Sequence, residues 1–125
     1  MRTKVYSCGL DAALAIIGGK WKFIILWNLA GGSSRFGELR RRVGGISEKM
    51  LIQALKEMEL DGIVTRKDFR EVPPRVEYSL TAFGRDLAEA SRPLCDWGNR
   101  HLRRIGKLPT QCALARRPLK HFSHR

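Results

Sequence analysis

The sequence contains few cysteines, and their positions follow no pattern. The three are Cys8, Cys95 and Cys112, an odd number without the paired spacing of a disulfide framework, which argues against a small secreted disulfide-rich protein. Cys112 lies near His121 and His124 in the sequence, but this is not a recognised zinc-binding spacing. We therefore predict no metal site and no cofactor.

Long apolar segments are also missing. The longest apolar run near Trp21 covers residues 23–27, far fewer than the roughly 20 residues that a membrane-spanning helix needs. Residues 1–6 do not have the apolar centre of a secretory signal peptide. We expect a cytoplasmic protein without a membrane partner.

The sequence offers no catalytic motif and few acidic residues. We find no nucleophile–base pair, carboxylate dyad, phosphate-binding loop or dinucleotide fingerprint, so an enzyme is not expected. The 125 residues include 24 Lys and Arg but only 12 Asp and Glu, which gives a net charge of +12. Such an excess favours a polyanionic partner, either nucleic acid or an anionic membrane surface. The length and the apolar fraction of 43% are those of one globular domain.

Residues 46–61 are predicted to form an amphipathic helix. Ser47 is a good N-cap, because its hydroxyl can accept a hydrogen bond from the first helical turn. The apolar residues recur at helical spacing and are expected to face the core or lie beside that face: Met50, Leu51, Ala54, Leu55 and Met58. Lys49, Gln53 and Lys56 fall on the opposite face. An amide and two ammonium groups on one helix face are suited to a DNA major groove.

Two shorter helices are predicted before this one, after a first helix at residues 10–17. Residues 20–30 are apolar on nearly every side, which indicates a buried core helix. Ser33-Ser34 is expected to cap the next helix, at residues 35–43. Gly44-Gly45 then forms a tight turn into the amphipathic helix. This succession is a helix-turn-helix pattern.

The period of the sequence changes after Gly62, which is expected to end the amphipathic helix. Residues 63–67 and 76–80 have strand character, and residues 68–75 between them contain a proline pair. A β-hairpin after the second helix of the pair predicts a winged helix-turn-helix, mainly α with a small β-hairpin (α+β).

A last long helix is predicted to begin after Thr81, which is expected to cap it, with a kink at Pro93. Apolar residues recur in it at four-three spacing and form a seam that needs a partner to cover it: Phe83, Leu87, Ala90, Leu94 and Trp97. The interface candidates in this seam are Phe83, Leu87, Leu94 and Trp97. Residues 1–108 are expected to form the domain, and residues 109–125 a basic, flexible tail.

Candidate DNA contacts follow from side-chain chemistry. Gln53 suits adenine and Lys49 suits guanine, although the same residues also fit an ordinary solvated face. Ser47 and Lys56 belong to the same candidate surface, and phosphate contacts are predicted for the arginines, whose flat guanidinium groups match phosphate oxygens: Arg35, Arg40, Arg41, Arg42, Arg66, Arg70 and Arg75. For Arg75, a surface ion pair with Glu71 or Glu77 is the alternative.

Cys8 has two interpretations. Lys4, Lys20 and Lys22 are not far from it in the sequence, and a thiol near cations has a lowered pKa and is oxidised readily. The alternative is a small buried apolar side chain. From this chemistry alone the buried interpretation is favoured.

In its motifs, the chain resembles the HxlR-type family of bacterial winged-helix transcription regulators, which are related to the MarR group. The motifs arrive in order between Cys8 and Ile105: Gly-Gly-Lys-Trp-Lys at 18–22, Arg-Phe-Gly-Glu-Leu at 35–39, Gly-Ile-Ser-Glu-Lys-Met-Leu at 45–51, Leu-Asp-Gly-Ile-Val at 60–64, Pro-Pro-Arg-Val-Glu-Tyr-Ser-Leu-Thr at 73–81, Gly84 and Trp97.

The resemblance implies a homodimer with N- and C-terminal dimerisation helices, whose interface includes the apolar seam. It would bind double-stranded DNA at a near-palindromic operator. Its recognition helices would enter successive major grooves, with half-sites roughly 10 bp apart. Several family members sense oxidants or electrophiles through a cysteine at the position of Cys8, which makes Cys8 the redox-sensing candidate and an oxidant or small molecule the expected effector. Here Gly9 follows that cysteine, where family members usually have proline. The alternatives are a nonspecific basic nucleic-acid-binding protein and a protein-interaction module that uses the apolar seam.

Overall fold

The computed structural model describes residues 5–107. The elements in this part of the chain are α1 (Gly9–Ile17), α2 (Trp21–Ala30), β1 (Ser34–Arg35), α3 (Phe36–Val43), α4 (Glu48–Leu60), β2 (Val64–Asp68), β3 (Val76–Leu80) and α5 (Ala82–Arg104). The predicted winged helix-turn-helix, mainly helical with a small antiparallel sheet, is confirmed. The predictions for the tail and for Cys112, His121 and His124 lie outside the described residues.

Helix α2 lies at the centre of the core because its sequence is apolar on nearly every side. Ile25–Ala30 are all buried, and α2 contacts α3, α4, α5 and β3. Asn28 is the polar residue of this segment, and its Nδ2 donates to the backbone oxygen of Ile24 at 2.9 Å. That bond satisfies the amide inside the core. The predicted core helix is confirmed.

The start of α3 differs from the prediction. Ser34 and Arg35 form β1, which pairs antiparallel with β3 through Ser34–Tyr78 and Arg35–Glu77. Arg35 is the N-cap of α3, and its backbone N–H donates to Glu38 Oε1 at 3.4 Å. The expected Ser33-Ser34 cap was wrong because the backbone of Ser34 pairs with a strand far along the chain.

Helix α4 begins and ends as predicted. Ser47 Oγ accepts from the backbone N–H of Met50 at 3.1 Å, and Gly62 has the left-handed φ of 77° that glycine adopts without strain. The apolar face of the helix is buried and consists of Leu51, Ala54, Leu55 and Met58. Met50 is 45% exposed, since it lies about 100° around the helix from Leu51.

The sheet has the order β1-β3-β2. Strands β2 and β3 form the predicted hairpin, in register from Val64–Leu80 to Asp68–Val76. The loop between them is the wing, which we define as residues 69–75. Its ends are joined by the backbone N–H of Phe69, which donates to the carbonyl of Arg75 at 2.9 Å.

Helix α5 packs on the core through small residues. Thr81 Oγ1 accepts from the backbone N–H of Gly84 at 2.9 Å, so the predicted cap is confirmed. Gly84, Ala88 and Ser91 are buried, and a Cβ at Gly84 would collide with the carbonyl of Ile63. Within residues 5–107, no helix is both long enough and apolar enough to cross a membrane.

Candidate nucleic-acid interface

The outer face of α4 carries a polar and partly apolar surface. Lys49, Ile52, Gln53 and Lys56 are all exposed, and together they are called the recognition face below. Ile52 is 39% exposed and was missed by the sequence analysis. Its position three residues after Lys49 and four before Lys56 places it on the same side, where its side chain is suited to a thymine methyl group.

The amide of Gln53 is held by a second residue of α4, which is itself paired with a residue of α2. Gln53 Nε2 donates to Glu57 Oε2 at 3.3 Å, and Lys22 Nζ lies 2.6 Å from the other carboxylate oxygen, Glu57 Oε1. All three residues are among those that line an open cleft of about 220 Å³ between α4 and the start of α2. The sequence analysis did not foresee this cluster, because its members lie on two helices.

A second groove lies where α3 turns into α4. Arg40, Arg41 and Ser47 line it, and its open volume is about 690 Å³. Gly44 and Gly45 form the turn with φ values of 73° and 77°, which other residues rarely adopt. The groove opens at the N-terminus of α4, where the helix dipole favours an anion. Two guanidinium groups beside a positive helix end are suited to a phosphate.

Arg42 is directed toward β1 and α2, whereas Arg40 donates from Nε to the carbonyl of Ile46 at 3.1 Å. Its Nη2 donates to Ser34 Oγ at 2.9 Å, and its Nη1 donates to the carbonyl of Asn28 at 3.4 Å. Each step along a helix turns the side chain by about 100°, so consecutive arginines meet different surroundings. These two bonds join α3 to β1 and α2 and occupy the guanidinium group of Arg42. The geometry therefore does not support the predicted contact between Arg42 and a DNA phosphate.

Arg75 is part of the internal structure of the wing. Its Nη2 lies 2.9 Å from Glu71 Oε2 and its Nη1 lies 3.1 Å from Glu77 Oε2, while its guanidinium carbon is 3.6 Å from the centre of the Phe69 ring. Hydrogen bonding to Glu71 raises the pKa of Arg75 above its ordinary value. The structure contains the ion-pair alternative rather than an outward-pointing contact, because two carboxylates lie within reach of one guanidinium.

Arg70 and Arg66 remain exposed on the wing side of the sheet. Arg70 has a positive φ of 54°, and its backbone N–H donates to Asp68 Oδ1 at 2.9 Å. This turn stands where the wing begins, directly after β2. Arg35 is exposed at the start of α3.

Cys8 is exposed at the N-terminus of α1. Its pKa is lowered, chiefly by hydrogen bonding to the backbone N–H of Asp11, with a further bond from Leu10. The buried interpretation was therefore wrong. Two of the lysines invoked as a cause are occupied elsewhere, since Lys22 pairs with Glu57 and Lys20 lies over the ring of Trp21, and Lys4 lies outside the described residues. Helix N-termini lower thiol pKa values in this way.

Apolar side chains are exposed along α1 and α5. Leu10 and Leu14 on α1 are 62% and 48% exposed, and Phe83, Leu94 and Trp97 on α5 are 60%, 57% and 58% exposed. Leu87 instead packs partly against the core. Single exposed apolar residues are ordinary on a protein surface, whereas groups of them are typical of interaction surfaces. Here α1 and α5 each expose more than one.

The fold and this surface define the class as winged helix-turn-helix proteins. Residues 16–106 match the model of the HxlR-like helix-turn-helix family, and the chain belongs to that family. Its relatives are named as transcriptional regulators. The HTH-type transcriptional regulator YtcD of Bacillus subtilis is 44% identical over 105 residues, which cover 84% of this chain and 83% of that protein.

Solved structures of similar proteins agree with this assignment. A transcriptional regulator described as MarR-family, from Enterococcus faecalis, has a TM-score of 0.72 and 41% identity, covering 84% of this chain and 96% of its own. The oxidised form of the redox regulator HypR has a TM-score of 0.69 and 44% identity, covering 74% of this chain and 96% of its own. Among residues 5–107, no group of three His, Cys, Asp or Glu side chains is arranged to hold a metal ion.

Proposed function

We propose that this protein is a sequence-specific, DNA-binding transcription regulator that inserts α4 into the major groove. The observation that carries the proposal is the exposed recognition face of α4, formed by Lys49, Ile52, Gln53 and Lys56. The turn that precedes α4 is flanked by Arg40 and Arg41. Gln53 contacts adenine N6 and N7, and Lys49 contacts guanine O6 or N7. Such contacts supply specificity, and phosphate contacts supply register and affinity.

Phosphate contacts are assigned to exposed cations of α3, β2 and the wing, including the N-cap of α3. Arg40 and Arg41 flank the N-terminus of α4, Arg35 begins α3, and Arg66 and Arg70 extend along β2 and the wing. Loss of one such contact lowers affinity similarly on all sequences and reduces the salt slope by about one.

The regulator acts as a homodimer on a near-palindromic operator in the cytoplasm. The exposed apolar residues of α1 and α5, among them Leu10, Phe83, Leu94 and Trp97, support a second copy as the group that covers them. Burial of apolar area drives such association. Two-fold symmetry then places two α4 helices in successive major grooves, with half-sites roughly 10 bp apart.

Cys8 makes the regulator responsive to oxidants or electrophiles. Its thiol is exposed, and its pKa is lowered by backbone N–H groups at the start of α1, so the reactive thiolate is more abundant. The similar protein HypR is a redox regulator with a structure in an oxidised form. Because α1 belongs to the proposed dimer surface, a change at Cys8 would alter the spacing of the two α4 helices.

The net charge of +12 favours a second candidate, a basic protein that holds nucleic acid by charge alone. Fluorescence anisotropy on the duplex flanking the protein's own gene, beside a shuffled duplex, compares the two. A preference of about a thousandfold or more supports a sequence-reading regulator. Equal affinities for shuffled and selected duplexes, with a steep salt dependence, support the charge-driven protein. Stable assembly without DNA affinity indicates the protein-interaction module.

A further inference from the structure

The recognition face is connected to the core through a carboxylate. Glu57 lies on α4, four residues after Gln53, and each of its two oxygens has a partner: Gln53 Nε2 at 3.3 Å and Lys22 Nζ at 2.6 Å. Lys22 stands in the first turn of α2, whose later residues form the centre of the core. Its side chain is only 14% exposed, so it offers little surface to a DNA phosphate.

We infer that Lys22 is a positioning residue for base recognition, acting on Gln53 through Glu57. This inference rests on the proposed function. An ionised carboxylate only accepts hydrogen bonds, so the NH₂ side of the Gln53 amide must face Glu57. The amide oxygen then points away from Glu57, and the amide plane cannot flip without losing the bond.

This orientation matters for reading a base pair. A glutamine that recognises adenine donates to N7 and accepts from the N6 amino group. Both contacts form in only one of the two flip states of the amide, the one that places its oxygen at N6 and its nitrogen at N7. One N–H of Gln53 bonds Glu57, which leaves the second N–H and the oxygen for the base. Holding the amide in advance lowers the side-chain entropy that is lost on binding.

Lys22 also removes an electrostatic obstacle. A carboxylate on a DNA-facing helix repels the phosphate backbone, and Glu57 lies at the edge of that face. Because Lys22 pairs with Glu57 from the side of α2, the carboxylate can orient Gln53 without presenting an unpaired negative charge to the duplex.

The test uses full-length protein and the duplex that the wild type selects from a randomised library, together with derivatives in which each base pair is exchanged singly. Discrimination is the ratio of Kd values for exchanged and selected duplexes. Gln53→Ala should abolish discrimination at one position in each half-site. Lys22→Met should reduce discrimination at that same position by at least about fivefold, the lower limit for a bidentate contact.

Matched variants separate orientation from charge. Lys22→Arg keeps a cation and should retain discrimination. Lys20→Met removes the same charge two residues away, from a side chain that lies over Trp21, and should leave the pattern of discrimination unchanged. In the Gln53→Ala protein, Lys22→Met should cause no further loss of discrimination, because the amide on which it acts is gone.

The inference is overturned if Lys22→Met discriminates like the wild type, or if Lys22→Met lowers discrimination at other base positions in the Gln53→Ala protein. Thermal unfolding monitors the fold of each variant. If Lys22→Met does not fold, Glu57→Gln makes the same test, since it breaks the ion pair and removes the acceptor-only group. A wild type that selects no sequence overturns the proposed function itself, whereas a discriminating wild type with an unchanged Lys22→Met overturns this inference alone.

Discussion

Arg42 Nη2 donates to Ser34 Oγ at 2.9 Å, and this bond joins the helix-turn-helix unit to the short strand that precedes it. Ser34 is 2% exposed and itself donates to the carbonyl of Arg35 at 3.1 Å. The Ser34 hydroxyl therefore donates one hydrogen bond, to the carbonyl of Arg35, and accepts another, from the guanidinium group of Arg42. A buried polar group that loses a charged hydrogen-bond partner keeps the cost of its desolvation, so the folded protein becomes less stable.

Arg42→Ala should therefore lower the free energy of unfolding by about 1.5–3 kcal/mol, the range for a hydrogen bond to a charged group. Urea denaturation measures this loss. Arg41→Ala is the control, because Arg41 lines the groove at the start of α4; it should change stability little but reduce the salt slope of DNA binding by about one. Equal effects of the two variants on stability would contradict the different roles assigned to these neighbours.

The N-cap residues of α4 and α5 could be predicted because capping is local. A hydroxyl at Ser47 or Thr81 accepts from a backbone N–H three residues later, so both partners stand in the same short stretch of sequence. The hairpin was predicted for a similar reason, since alternation within β3 and the nearby strand β2 is visible without knowledge of the rest of the chain.

The features that were missed depend on residues far apart in the sequence. Ser34 belongs to β1 because it meets Tyr78, and Glu57 is paired because α2 brings Lys22 to it. Arg42 cannot be distinguished from Arg41 in the sequence, since only the packed fold decides which arginine faces Ser34. Local patterns determined the elements here, and tertiary packing determined the partners of the charged side chains.

Cys8 should react as a thiolate at lower pH in the folded protein than in the unfolded chain. Backbone N–H groups of Asp11 and Leu10 lower its pKa in the fold, so folding favours the deprotonated form, and the associated stability is lost as pH falls through the folded pKa. A variant with Cys95→Ser and Cys112→Ser isolates the thiol. The rate at which iodoacetamide alkylates this variant, measured against pH without and with urea, gives the pKa of Cys8 in the folded protein and in the unfolded chain.

Oxidant treatment of the wild type and of Cys8→Ser tests whether Cys8 is a sensor. DNA binding by the wild type should fall or rise after treatment with diamide or a quinone, whereas binding by Cys8→Ser should be unaffected. An identical response of Cys8→Ser and the wild type removes Cys8 from sensing, even if its thiol is reactive.

Trp97→Ala should weaken self-association of the protein. Trp97 is 58% exposed on α5 and has Leu94 and Phe83 on the same seam, also exposed, and a buried aromatic residue at an interface typically contributes about 2 kcal/mol. We expect the dimer dissociation constant to rise by roughly thirtyfold, measured by sedimentation velocity over a concentration series. Leu60→Ala is the control, because Leu60 is 86% exposed at the end of α4 and outside the seam.

Ile52 should read a thymine methyl group, and the DNA itself can test this. Replacing one thymine of the selected duplex by deoxyuridine removes only the methyl group, and loss of one buried methyl costs about 0.8 kcal/mol, or roughly fourfold in affinity. The wild type should show this loss at one position in each half-site, and Ile52→Ala should not distinguish the two duplexes. Ile52 is 39% exposed and carries no polar atom, so a contact through anything but apolar packing is excluded. If Ile52→Ala retains the full preference for thymine, the methyl group is read by another side chain of α4, and the docking angle of the helix must differ from the one that places Gln53 and Ile52 in the same groove.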